Sequence, residues 1–153
     1  MAPAPGPEAL GADLLVAPFL AATEWDALDL VSTDPGQDRS LPVDLAAAPG
    51  VDCLRQALLL RLLTPLGALA DLGHPDYGSR LYQLVGAERN DAARLAARLY
   101  VLQAVNQERR VAEVTSLIVE RPDPTRPDAL RISLSVRPVG GSDLVALGLE
   151  VAG

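Results

Sequence analysis

Lysine is missing from this chain, and all 13 positive charges are arginine. That absence matches GC-rich codon usage, which also favours Ala, Gly and Pro, and carries no functional message of its own. One cysteine, Cys53, excludes an intrachain disulfide and makes a reducing compartment the default expectation. With one histidine, His74, beside that one cysteine, a structural zinc site within the chain is not expected. Aromatics make up 3% of residues against 49% apolar, so Leu, Val and Ala must build the core. No apolar run reaches the roughly 18–20 residues that span a bilayer. The opening Met1-Ala2-Pro3-Ala4-Pro5-Gly6-Pro7 lacks the positive start and apolar core of a signal peptide. The expectation is a soluble cytoplasmic product without membrane insertion.

What is present is acidic. The net charge of −7 argues against a nucleic-acid partner held through phosphates. Residues 1–52 hold nine acids and one arginine, a net of −8, whereas residues 53–153 hold eleven acids and twelve arginines, a net of +1. The acidic part reads either as a solvated leader or as a segment that docks on a basic surface.

The chain divides into a disordered start over 1–11, an acidic extended arm over 12–48 and a domain over 49–153. In the arm, Trp25–Val31 partly alternates, Asp34–Asp38 is a turn, and Leu41–Leu45 is a short strand with Pro42 inside it. A first helix begins after Pro49-Gly50, with Asp52 in its first turn and Leu54, Ala57, Leu58 and Leu62 on one face. Leu59, Leu60 and Leu63 widen that arc, so this helix is expected to be covered on more than one side. A short second helix is expected over Ser79–Val85. A third opens on Asn90 as its cap, with Leu95, Leu99, Leu102 and Val105 at helical spacing.

After Arg110 the apolar period changes from 3.6 to 2. Val111–Glu120 is rich in β-branched residues. Leu130, Ile132, Leu134 and Val136 alternate with Arg131, Ser133, Ser135 and Arg137, and Val145, Leu147, Leu149 and Val151 repeat the pattern. The fold class is α+β: three helices, then a three-stranded antiparallel meander, preceded by the extended arm. A meander has two edge strands. The closing one invites strand addition from a partner, unless the arm covers it.

Between the first helix and the sheet lies the most distinctive stretch. It runs Gln56-Ala57-Leu58, then Arg61-Leu62-Leu63-Thr64-Pro65-Leu66-Gly67, then His74-Pro75-Asp76-Tyr77-Gly78-Ser79-Arg80-Leu81. This run resembles the gene-25-like baseplate family, the wedge proteins of contractile phage tails, also called W-like or "lysozyme-like" baseplate proteins. The family pattern ends a helix in a Thr-Pro-x-Gly turn and enters a short helix through a Pro-x-Tyr/Phe-Gly loop. A long helix then leads to a Glu-Pro-Arg motif at the start of a strand. Here that motif reads Glu108-Arg109-Arg110, with Arg109 where the family has Pro. The resemblance covers about residues 50–137.

The resemblance implies a non-enzymatic part of the baseplate wedge, six copies around a hub. Its partners would be sheath subunits and other wedge proteins, with sheath assembly nucleated by β-strand addition. It implies partner-binding roles for Glu108, Arg109 and Arg110, and no cofactor or metal; Val145 in the closing strand is given no role. Each of these residues also has a plainer reading. Glu108 and Arg110 can form a local ion pair, Gly67 and Gly78 can serve tight backbone geometry, and His74 can be a turn residue. Tyr77 and Tyr82 can pack a core with the hydroxyl at its rim.

Two other functions are weighed. A peptidoglycan-cleaving enzyme would need two carboxylates whose pKa values diverge, and nothing in the spacing supplies a reason for that. An adaptor binding through the acidic arm is the other.

Overall fold

The computed structural model describes residues 10–16, 33, 45–88, 90–120, 125, 129–141 and 143–151. The arm elements expected over Trp25–Val31, Asp34–Asp38 and 41–44 lie outside these, as does most of the loop over 122–127.

Two α-helices, not three, stand among the described residues. The first, α1, covers Gly50–Leu63. Its buried positions include Leu54, Leu58, Leu59, Leu62 and Leu63, wider than one stripe, because it packs on several neighbours. The second, α2, covers Asp91–Val105, and the Asn90 side chain accepts the Ala93 N–H at 2.9 Å as the cap. The helix expected over Ser79–Val85 is a single 3-10 turn at Leu81–Leu84. Ser79 is unavailable to it: its backbone pairs with the Thr64–Leu66 segment and its hydroxyl accepts the Leu81 N–H. Too few residues are left for an α-helical turn to propagate.

The chain enters through a small ribbon. β1 (Ala12–Leu14) pairs antiparallel with β2 (Ala47–Pro49) and lies on α1. The arm is thus tied down at both ends. Leu10, at the end of the stretch expected to be disordered, is buried in the core.

After α2 come β3 (Val111–Val119), β4 (Leu130–Pro138) and β5 (Val145–Val151), a sheet of order β3-β4-β5, antiparallel throughout. The register pairs Leu134 with Leu117 on one side and with Leu147 on the other. The apolar alternation therefore puts Leu117, Ile132, Leu134, Val136, Val145, Leu147 and Leu149 on one inner face. Leu54, Leu58 and Leu62 of α1 and Val101 and Val105 of α2 close over that face, each buried side chain contributing about 1.5–3 kcal/mol. The outer face carries Ser133, Ser135, Ala146 and Gly148, with ion pairs Arg131–Glu150 and Arg137–Glu113 at its rims.

On α2 the helical repeat is present, but its large leucines are turned outward. Leu95 is 69% and Leu99 52% exposed, while Ala93, Ala97, Val101, Ala104 and Val105 face the core. Small side chains on that face let the helix lie close against β3.

No helix among the described residues is long and apolar enough to cross a membrane.

Candidate partner-binding site

Thr64 ends α1. Its backbone N–H and its hydroxyl both donate to the Leu60 carbonyl, at 2.9 and 2.7 Å, and Pro65 follows with no N–H to continue the helix. The chain then folds back on itself. Ser79 N–H donates to Thr64 O and Leu66 N–H to Ser79 O, both at 2.8 Å. Gly67 N–H donates to Tyr77 O at 3.2 Å and His74 N–H to Leu69 O at 3.0 Å.

Gly78 sits at the crossing, with φ +113°. A Cβ there would fall 2.6 Å from Thr64 O and 2.7 Å from Pro65 O, so only glycine fits. The loop that carried the family resemblance is thus a rigid backbone-bonded unit, and Tyr77 and His74 are displayed from it at fixed places.

Tyr77 is half-buried and lies under a cation: the Arg61 guanidinium carbon is 4.5 Å from its ring centre. Burial pushes the Tyr77 phenol above its ordinary value, against the opposing pull of Arg61. Arg61 reaches from α1 to Gln107 (Nη1 to Oε1, 3.2 Å) and to Glu108 (3.8 Å). Tyr82, expected to pack a core, is instead exposed. His74 is exposed as well.

The Glu108-Arg109-Arg110 turn leaves α2 and enters β3. Arg110 grips Glu108 in a fork, Nε to Oε1 at 2.8 Å and Nη2 to Oε2 at 3.2 Å, and its backbone N–H donates to the same carboxylate. The third guanidinium nitrogen donates to Leu10 O at 3.0 Å and lies 3.5 Å from Cys53 Sγ. Burial disfavours the Glu108 carboxylate, yet the Arg110 hydrogen bonds and the charges of Arg110 and Arg61 outweigh it, holding the carboxyl below the usual range. The fork to Glu108 likewise raises Arg110.

The structure thus joins Glu108 to Arg110 in an inward pair that ties together helix exit, α1 and the arm. Arg109 lies between them in sequence but on the outside. It is exposed and makes no hydrogen bond or ion pair among the described residues. With Arg61, His74, Asp76, Tyr77 and Gln107 it lines a concavity of about 500 Å³.

The sheet edges differ from each other. Along β3, Arg98 donates to Leu117 O at 2.9 Å and Arg94 to Val119 O at 3.1 Å. Two residues one helical turn apart thereby cover two carbonyls that face away from β4. Along β5, Arg55 Nε donates to Ala146 O at 3.1 Å. That bond shows that Ala146, and by strand alternation Gly148, turn their backbone groups away from β4. Among the described residues no strand lies beside β5. Val145 faces inward and is buried.

Reading the sequence alone missed two anchors. Gln56 is buried on α1 and makes two bonds to the arm, Nε2 to Leu14 O at 2.7 Å and Oε1 from Val16 N–H at 2.9 Å. A polar residue inside a leucine-rich helix face was the available signal. The second is the Arg94/Arg98 pair, whose spacing was legible but whose target was not.

Among the described residues, no group of three or more His, Cys, Asp or Glu side chains lies close enough together to hold a metal. No family model, curated protein or solved structure matches this chain.

Proposed function

We propose that this chain is a structural wedge subunit of the baseplate in a contractile phage tail or injection system, and that it starts sheath assembly by accepting a strand. The observation that carries the reading is the unequal treatment of the two sheet edges. On β3 the outward carbonyls of Leu117 and Val119 are met by Arg98 and Arg94 of its own fold, whereas on β5 Arg55 meets the Ala146 carbonyl, Gly148 turns its backbone groups outward, and among the described residues no strand lies beside it. Unpaired backbone on an ordered strand is a template for an extended segment of another chain.

The rigid Thr64–Ser79 loop and the Glu108–Arg110 fork support the same reading through the likeness to gene-25-like wedge proteins. In that role six copies would ring the hub, with other wedge proteins and sheath subunits as partners. Glu108 and Arg110 shape the corner, and Arg109 is the member of the motif that meets a neighbour. Hydrogen bonds from Arg110 hold the Glu108 carboxyl below its usual range, which suits a role in fixing this corner.

The test is genetic and visual. Deleting this chain from cells that make the particle should leave tubes and wedges without sheath, and restoring it should return the sheath. Normal sheathed particles in the deletion strain would end the proposal.

A further inference from the structure

The concavity beside Arg109 is a surface feature separate from the β5 edge. Its floor is fixed: Tyr77 stands on the bonded loop, and Arg61 is stacked on Tyr77 and tied to Gln107 and Glu108. Arg61 is therefore already occupied with groups of its own chain. Arg109, on the rim, has no partner among the described residues.

Charge at this corner is nearly balanced. Arg61, Arg109 and Arg110 stand against Glu108 and Asp76, which leaves one positive charge, carried by the free guanidinium. A phosphate dianion would meet the Asp76 carboxylate and a chain of net charge −7. A single carboxylate matches both the charge and the planar fork of an arginine. The concavity, at about 500 Å³, has room for a side chain together with the backbone that carries it.

We propose that this concavity is the docking point for one Asp or Glu side chain on an extended segment of an assembly partner, with Arg109 as its salt-bridge donor. The identity of that partner rests on the wedge role above; the chemistry of the pocket does not. Because Arg109 replaces the motif's proline, this contact belongs to this chain rather than to the pattern as a whole, and it selects a partner carrying the matching acid.

The experiment needs no other tail protein. The full 153-residue chain is titrated with a capped Gly-Glu-Gly peptide and with its Gly-Gln-Gly counterpart, following the backbone amide NMR signals of His74, Tyr77, Gln107 and Arg109. The glutamate peptide should shift these four signals, and the glutamine peptide should not. An exposed arginine without partners can be replaced without unfolding the chain, so Arg109→Gln should keep its spectrum and bind the glutamate peptide about fivefold more weakly, as an exposed ion pair of about 1 kcal/mol gives.

Equal shifts with both peptides, no shifts with either, or full binding by Arg109→Gln would overturn the proposal. Stronger shifts from inorganic phosphate than from the glutamate peptide would overturn it in favour of a phosphate site. An Arg109-dependent rise in sedimenting mass would overturn it in favour of a second copy. Peptide binding that persists while the deletion strain still builds normal sheaths would remove the wedge role and leave the pocket standing.

Discussion

Arg98 of α2 donates to the Leu117 carbonyl at 2.9 Å, on the side of β3 that faces away from the rest of the sheet. Arg94, one turn earlier, does the same for Val119. A helix running beside a strand cannot pair with it through backbone, since its own N–H groups are already used. Long guanidinium side chains solve this by reaching across, and they leave a charged rim that discourages a second strand.

Replacing both arginines by glutamine tests that cover. Each lost bond should cost about 1 kcal/mol in urea unfolding. The larger effect should be on association, because Leu117 and Val119 would then present bare carbonyls to other copies. Sedimentation of the double variant should show stronger concentration-dependent association than the parent chain at the same concentration. A double variant that associates no more than the parent would mean that the arginines do not guard this edge.

The Glu108–Arg110 fork makes a prediction about pH. The folded state holds the Glu108 carboxyl below its usual range, so below that range the folded chain binds fewer protons than the unfolded one, and stability falls as pH falls. The contribution of Glu108 is complete above its ordinary value of about 4.3 and is lost as pH drops through the lower folded value. Glu108→Gln should cost about 1–3 kcal/mol at neutral pH, the range for hydrogen bonds to a charged group. The gap between parent and variant should close in acid. A gap that stays constant down to about pH 2.5 would show that ionisation of Glu108 is not what the fork stabilises.

Gly78 allows a sharp contrast with Gly67 in the same loop. Both have positive φ, +113° and +84°, but a Cβ on Gly67 meets nothing nearer than Pro75 O at 3.8 Å. Gly67→Ala should therefore cost only the left-handed backbone term, about 1–2 kcal/mol. Gly78→Ala adds a collision with two carbonyl oxygens, which are backbone and cannot swing aside. It should cost more than about 3 kcal/mol, and equal thermal stability of the two variants would refute the close crossing.

The sheet was readable because a period of two fixes the face of every residue. Once Leu134 is known to point inward, so are Ile132 and Val136; along β3 the alternation is interrupted, because the register against β4 shifts between Val111 and Glu113 and again between Val114 and Ser116. Helix α2 was not readable in this way. Period 3.6 shows that Leu95, Leu99 and Leu102 share a face, but not whether that face is the one the sheet needs. The Ala93, Ala97, Val101, Ala104 face wins because it brings the helix axis close enough for Arg94 and Arg98 to reach β3.

The short turn after Ser79 is less helical than its sequence suggests for a related reason. Its local sequence suits a helix, and the long-range pairing of Ser79 with Thr64 and Leu66 is invisible locally. The motif Glu108-Arg109-Arg110 was legible as a unit, whereas its division into an inward pair and an outward arginine needed coordinates.

That reversal on α2 is testable. Leu99→Gln should change stability by less than about 0.5 kcal/mol, as an exposed position does. Ala97→Leu, fully buried against β3, should cost about 1–3 kcal/mol by overpacking. The opposite order in urea midpoints would place the leucines in the core after all.

On β5, folding and assembly depend on different N–H groups. A proline at Leu147 or Leu149 removes an N–H that points toward β4, so it should break the ladder and lower stability before any question of partners arises. Gly148 is different. Its N–H points away from β4, like that of Ala146, whose carbonyl is met by Arg55 from outside. An edge strand tolerates proline where the missing N–H faces outward, and a Cβ there meets only Ile132 O, at 3.8 Å. Gly148→Pro should therefore fold, unfold within about 1 kcal/mol of the parent, and still enter the baseplate, because the Arg109 corner is untouched. What it should lack is the sheath, since an added strand would find no donor at the centre of the edge. Electron micrographs showing sheaths of full length on Gly148→Pro baseplates would mean that the sheath starts elsewhere.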